Sequence, residues 1–326
     1  MRIGINGSSL IALGRPSSEI VDHAAAAEAD GFDTYWVAQL GAPDALTLLG
    51  AVGQATSRIE LGTAVVPTWL RHPLMLAAQA LTTSELCGGR LALGIGLAHK
   101  PWVEERLRIP FDRPARHMDE YLSVLLPAMR DRTVSFEGSI WSGVVDQLGG
   151  PPDVAVPSVL LAAMGPRMLE LAGARADGTI LWLSGPRTVE SRIRPALTEA
   201  AGAADRPEPR IVASVPVCVT DRPDEVRAMV AEVLAGYNEL PSYRSVMDTE
   251  GAAGPADVAV IGDEDAVRAG IERFGEAGTT DFSALEFVVD DETATRTRDL
   301  LKQLRLPLPT SRAPPPVLFG VRQGFP

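Results

Sequence analysis

His99 closes the run LALGIGLAHK (Leu91–Lys100), where an apolar strand pattern meets two glycines and an imidazole. A dinucleotide fingerprint requires G-x-G-x-x-G between a strand and a helix, and His99 stands where the third glycine belongs. No G-x-x-x-x-G-K-[ST] occurs, which excludes a P-loop. What remains is a strand ending in Gly94 and Gly96, where a missing Cβ lets another group approach closely. At that place His99 either exchanges a proton near neutral pH or shapes the loop by hydrogen bonding. Asn6, at the end of RIGIN, either contacts a substrate or forms the turn that follows. Trp69 and Trp102, in loops after apolar runs, are candidates for an aromatic substrate wall, whereas Trp36 and Trp182 lie within strand patterns and read as filling side chains. Tyr243, in LPSYR, falls on a long segment before the last strand, where a lid would sit. His72 before Pro73 reads as a helix cap, and His23 and His117 fall in helical patterns away from these residues.

Short apolar runs alternate with helical patterns along most of the chain. The strands are RIGIN, DTYWVAQ, IELGTAVVP, LALGIG, SVLLAAM, GTILWL, RIVASVPVCVT and FSALEFV, most of them followed by an amphipathic stretch with proline near its start or glycine past its end. Eight such units predict a (β/α)8 barrel, an α/β fold in one domain over residues 1–304. A doubly wound sheet would place a glycine fingerprint in its first turn, and INGSS does not. Residues 132–157 interrupt the alternation: TVSFEGSIW predicts a hairpin with Glu137-Gly138 in its turn, and GGPPDVAVP a loop. Residues 305–326 are rich in proline and predict an extended arm or a disordered tail.

In such a barrel the chemistry sits at the C-terminal ends of the strands. Those ends carry Asn6, Gln39, Thr63 to Val65, Gly96 to His99, Met164, Gly165, Leu183 and Ser184. The set holds no paired carboxylates, no metal-ligand cluster and no Ser/His/Asp arrangement, so a bound cofactor is expected to carry the reaction and no metal is expected. With 46% hydrophobic and 22% charged residues the chain can bury a large core. A formal net charge of -12 disfavours nucleic acid and anionic membranes. Cys87 and Cys218 have no C-x-x-C spacing and read as buried reduced thiols. The start MRIGINGSSL lacks a signal peptide's apolar core, and a cytoplasmic location is expected.

The runs Ile59–Lys100 and Val159–Leu183 resemble the luciferase-like flavin and deazaflavin oxidoreductases, in which G-T-x-V, then H-P, then G-R-x-x-L-G-I-G recur in order. Within that family the chain looks most like the actinobacterial branch that uses the deazaflavin coenzyme F420. The resemblance implies a non-prolyl cis peptide between Ala64 and Val65, forming a bulge behind the cofactor ring beside Thr63. It implies a ring and ribityl lining of Gly94, Gly96, Leu97, Ala98 and His99. It also implies an anionic tail held by Ala162, Ala163, Met164, Gly165, Pro166 and Arg167 at a helix start, where free amides and the helix dipole favour an anion. Many members carry an acid and a histidine after the second strand, whereas this chain has Ala38-Gln39-Leu40, so Gln39 is left to hydrogen-bond the ring or a substrate carbonyl. The set for a sugar phosphate near Leu183 to Pro186 is missing, and Leu183, Trp69, Trp102 and Tyr243 are expected to line an apolar substrate pocket. The implied activity is hydride transfer between the deazaflavin C5 and a small organic substrate with an activated C=C, C=N or C-O bond, as in natural-product tailoring. An FMN-dependent monooxygenase and a non-catalytic flavin-binding member are the alternatives, and a homodimer is expected.

Overall fold

The computed structural model describes residues 1–305. The strands are β1 (Arg2–Asn6), β2 (Thr34–Val37), β3 (Glu60–Thr63), the two-residue β4 (Val66–Pro67), β5 (Leu91–Gly96), β6 (Val134–Glu137), β7 (Ser142–Val145), β8 (Ser158–Leu161), β9 (Gly178–Trp182), β10 (Arg210–Val219), β11 (Val260–Gly262) and β12 (Asp281–Glu286). Eight of them close a parallel ring in the order β1-β2-β3-β5-β8-β9-β10-β12, with β12 pairing back onto β1. The expected (β/α)8 barrel is the fold. Short β11 was not anticipated: it extends the long strand β10 alongside Val217–Val219, and three residues are too few for a periodic signal.

The helices are α1 (Ser8–Ala12), α2 (Ser17–Ala29), α3 (Ala45–Ala55), α4 (Pro73–Leu86), α5 (Pro114–Arg130), α6 (Pro166–Arg175), α7 (Pro186–Thr188), α8 (Arg194–Ala203), α9 (Pro223–Val233), α10 (Pro241–Glu250), α11 (Pro255–Val258), α12 (Glu264–Glu276) and α13 (Asp291–Gln303). A π turn, Val189–Ile193, joins α7 to α8. Proline opens six of the longer helices, where its missing N–H costs no hydrogen bond. α3 starts at Ala45 rather than Pro43: Pro43 follows a cis peptide, and Asp44 caps the helix by accepting from the Thr47 amide.

Strand alternation divides the apolar residues into two cores. Trp36, Ala92, Leu160, Ile180 and Val212 fill the barrel, and a larger set packs between barrel and helices. Trp36 demands a gap opposite it: a Cβ on Gly62 would lie 2.2 Å from the indole. Arg2, Glu60, Arg210 and Asp281 close the N-terminal end with ion pairs that join β1, β3, β10 and β12. Both cysteines are buried and unbonded, and burial pushes each thiol up to about 11.

The insertion is a β6–β7 hairpin, with a shifted turn. Glu137 is not in the turn but pairs with Ser142, and the turn is Gly138 to Trp141. The cause is Glu120 on α5, whose carboxylate accepts the amides of Ser139, Ile140 and Trp141 and withdraws them from strand pairing. The Arg116 guanidinium, 2.7 Å from the carboxylate, and those amide bonds hold the Glu120 carboxyl down at about 2 against its burial. No described helix is long and apolar enough to cross a membrane. Apart from Arg305, the proline-rich segment 305–326 lies outside the described residues.

Candidate cofactor and substrate site

β3 leaves the barrel wall at Ala64–Val65, which are joined by a non-prolyl cis peptide at the position the resemblance implies. The kink is tied on both sides: the Ala64 amide donates to the Val37 carbonyl at 2.7 Å, the Gln39 amide to the Val65 carbonyl at 3.2 Å, and the Thr63 hydroxyl to the Gly94 carbonyl at 2.7 Å. The glycines of β5 answer to this kink. A Cβ on Gly94 would lie 1.9 Å from the Thr63 carbonyl oxygen, and one on Gly96 2.7 Å from the Val65 side chain and 3.0 Å from Ala162. The group that comes close at Gly94 and Gly96 is therefore the neighbouring strand, and what faces the mouth is the half-buried pair Ala64 and Val65.

Beyond Gly96 the chain turns through Leu97 and Ala98, the latter in the left-handed region at φ 56°, and presents His99. The imidazole packs edge-on against Tyr243 at 5.6 Å and Tyr237 at 5.9 Å between ring centroids. Burial holds it below its ordinary value, so it is neutral at pH 7. Tyr237 touches Tyr243 at 4.7 Å and Trp182 at 6.4 Å, so rings from β5, β9 and the segment 235–250 meet over the mouth. Tyr237 and Trp182 were not assigned to a pocket from sequence; nothing in LAGYN marks a ring that must fold back over a strand 140 residues earlier.

Several expected site residues are engaged otherwise. Asn6 is a turn former: its amide donates to Ser214 Oγ at 3.0 Å and its carbonyl accepts the Ser8 amide. Gln39 spends its side chain on the 39–45 loop, donating to the Gly41 carbonyl and accepting from the Ala45 amide. Leu183 adopts a left-handed backbone that turns its side chain into the outer core, where it is fully buried and cannot line a pocket. Tyr243 lies in helix α10 rather than a loop, buried beneath Tyr237. Trp69 packs in tilted contact on His117, 3.7 Å between centroids, and on Phe111, 5.4 Å. Trp102 opens a π turn, Trp102–Arg106, half-buried. His72 caps α4 as expected, its Nδ1 accepting from the Leu74 amide.

His117 was placed apart from the chemistry, and it is fully buried next to the site. Trp141 Nε1 can only donate, so His117 Nδ1 accepts that bond and Nε2 carries the proton toward Thr68 Oγ1 at 2.9 Å. The Thr68 hydroxyl then donates to the Gly96 carbonyl. This chain joins the inserted hairpin to the end of β5, and burial holds His117 down at about 4.

Two helices begin side by side on the rim. The start of α7 is filled from within the chain: Glu250 accepts the amides of Arg187 and Thr188. The start of α6, after Met164-Gly165, has no side-chain cap, and Pro166 and Arg167 stand exposed there. Arg192 donates to the Met164 carbonyl at 2.8 Å and to Ser245 Oγ at 2.9 Å, neutral partners that leave its charge uncompensated beside that turn. Ala162 is half-buried, while Ala163 is buried in the outer core and offers only backbone.

The chain and its fold are similar to those of known proteins. The luciferase-like monooxygenase family matches residues 5–282. An uncharacterized protein of Mycobacterium tuberculosis is 31% identical over 267 residues, 77% of this chain and 76% of that protein. An F420-dependent glucose-6-phosphate dehydrogenase of Beutenbergia cavernae is 29% identical over 289 residues, 84% of this chain and 80% of that protein. The solved coenzyme F420 dependent tetrahydromethanopterin reductase from Methanopyrus kandleri superposes with a TM-score of 0.77 at 21% identity, covering 93% of this chain and 97% of that one. With the family match spanning most of the barrel and a relative above 30% identity over three quarters of the chain, this protein belongs to the luciferase-like monooxygenase family.

Proposed function

We propose that the protein is a coenzyme F420-dependent oxidoreductase that moves a hydride between the deazaflavin and a small organic substrate. The observation that carries this reading is a pair of features at the ends of β3 and β8, the two strands that flank β5. An apolar bulge at Ala64–Val65 offers a wall for a flat ring, and an uncapped helix start with Arg192 beside it suits an anionic tail. The donor set fits such a group: free amides and one uncompensated guanidinium for the tail, small or apolar side chains for the ring. Relatives whose names carry F420 support the choice of cofactor.

Ala64, Val65, Gly96, Leu97, Ala98 and His99 would hold the ring side; Ala162, Met164, Gly165, Pro166 and Arg167, with Ala163 through its backbone, the tail. The deazaflavin, when bound, accepts or donates a hydride at C5. The chain's own part is orientation, exclusion of water under the 235–250 segment, and proton exchange. His99, neutral, would take up the O–H proton of an alcohol as it is oxidised and return it when a carbonyl is reduced, the hydride part being the chemistry the deazaflavin would supply. A homodimer belongs to this reading, supported by the exposed Met75 and Leu86 beside a groove of about 470 Å³ between α3 and α4.

Titration with F420, followed by its fluorescence, should saturate at one ligand per chain, and light scattering should give twice the chain mass. Protein that purifies with FMN and consumes oxygen would replace the reading with a monooxygenase. Protein that binds neither would make it a non-catalytic member.

A further inference from the structure

The hydrogen bonds between the inserted hairpin and β5 run in one direction. Glu120 accepts the Trp141 amide and so brings the indole edge-on to His117, 5.4 Å between centroids. Trp69, Tyr121 and Trp141 pack around the imidazole, which is fully buried. With Nδ1 engaged by a group that can only donate, the single ring hydrogen of neutral His117 stands on Nε2 and points at Thr68 Oγ1, 2.9 Å away. The Thr68 oxygen is thereby an acceptor toward His117, and its own hydrogen is left for the Gly96 carbonyl at 3.2 Å. In the opposite tautomer Nε2 would accept from the hydroxyl, and Gly96 would lose that bond.

Gly96 joins the two walls of the site. It is the last residue of β5, and the turn that follows passes through left-handed Ala98 to His99. It also packs against the kink of β3 so closely that an added Cβ would lie 2.7 Å from the Val65 side chain. A shift of Gly96 therefore moves His99 and the half-buried Val65 relative to each other. We propose that Thr68 is a positioning residue: its hydroxyl, turned toward the Gly96 carbonyl by His117, fixes the end of β5 and with it the place of His99 against the Val65 wall. The inserted hairpin takes part by engaging the other imidazole nitrogen. This rests on the functional reading above for what the spacing serves, the seating of a flat ring, and misplacement by about 1 Å can cost such a site a hundredfold in rate.

The test uses the full chain and a pair of variants that keep the shape of the side chain. Thr68→Val leaves the Gly96 carbonyl and the His117 N–H facing a methyl group, whereas Thr68→Ser keeps the hydroxyl. In the ligand-free protein, amide exchange over Leu97–His99 should rise about fivefold in Thr68→Val, the worth of one hydrogen bond, and stay within twofold of the wild type in Thr68→Ser. Exchange in α12 should not change in either. F420 titrated by its fluorescence should bind about fivefold more weakly to Thr68→Val and within twofold of the wild type to Thr68→Ser. NMR of protein carrying 15N-labelled histidine should show His117 with its proton on Nε2. A proton on Nδ1 would overturn the proposal, because the hydroxyl would then serve the histidine. Equal effects of Val and Ser would overturn it as well, and so would exchange that rises evenly through α12, or F420 affinity that Thr68→Val leaves unchanged. If the wild-type chain does not bind F420, the cofactor reading falls, and the exchange at Leu97–His99 with the His117 tautomer decides the role of Thr68.

Discussion

At the scale of residues the site is governed by what cannot be enlarged or charged. Gly94 faces the Thr63 carbonyl, a backbone atom fixed by the kink, so the strain of an added methyl cannot be relieved by a side-chain rotation. Gly94→Ala should cost about 2–3 kcal/mol in urea unfolding, while Gly165→Ala, with open space around its Cβ position, should stay within about 0.5 kcal/mol. Equal costs would mean that the β3 kink adapts. His117 sets a pH dependence of definite sign. Its value in the folded protein, about 4, lies below the ordinary 6.5, so as pH falls the unfolded chain takes up the proton first. Stability is complete above pH 6.5 and declines by about 3 kcal/mol toward pH 4. Glu120, at about 2, acts in the same direction but lower: its contribution is present above pH 4.5 and is lost as pH falls toward 2. His117→Gln should therefore lower the urea midpoint at pH 7 and flatten its slope between pH 6.5 and 4.5. An unchanged slope would assign the titration to another group. None of this was visible from spacing, because a histidine inside an amphipathic helix reads the same whether it meets solvent or a tryptophan from an insertion.

Among the elements, helix α10 decides how far the mouth is covered. It carries Tyr243, and it is bolted to α7 and the π turn by Glu250, by Thr188 Oγ1 to the Val246 carbonyl, and by Arg192 to Ser245. Glu250→Ala removes the carboxylate from two helix amides, which should destabilise the protein by about 1–2 kcal/mol. Amide exchange measured by mass spectrometry should then rise across residues 235–250 and around His99, and stay unchanged in α5. Exchange rising evenly over the molecule would mean that the bolt serves global stability alone. Periodicity and proline placement made the eight strands and most helices legible in the sequence, and the G-T-A-V run with the two matching blocks located the kink and the uncapped start of α6. What stayed illegible was long-range pairing. Glu250 reaches a helix start 62 residues back, Glu120 displaces a turn 19 residues ahead, and the left-handed backbone at Leu183 reverses the side of the strand its side chain occupies. Alternation along a strand fixes facing only until such a residue breaks it.

For the whole molecule the decisive contact joins the first strand to the last. The ring closes when β12 meets β1, and the seam is pinned at its floor by Asp281, 1% exposed, between Arg2 and Arg210. Arg210 already has one nitrogen, Nε, without a partner, so the floor has no spare acceptor to take over. Asp281→Asn leaves two cations facing Glu60 alone, and breaking a buried pair of this kind typically costs about 3–5 kcal/mol. That loss is expected to lower every part of the molecule together, because no ring of parallel strands survives with its closing seam open. The check uses two variants that each keep one reporter tryptophan, Trp36 inside the barrel or Trp141 in the inserted hairpin, with the Asp281→Asn change in both. Coincident urea transitions, shifted equally, are the expected result for a single domain in which Glu120 and His117 bind the hairpin to the barrel wall. A hairpin transition that stays in place while the barrel signal shifts would show that the insertion folds on its own, and would remove its part in holding the end of β5.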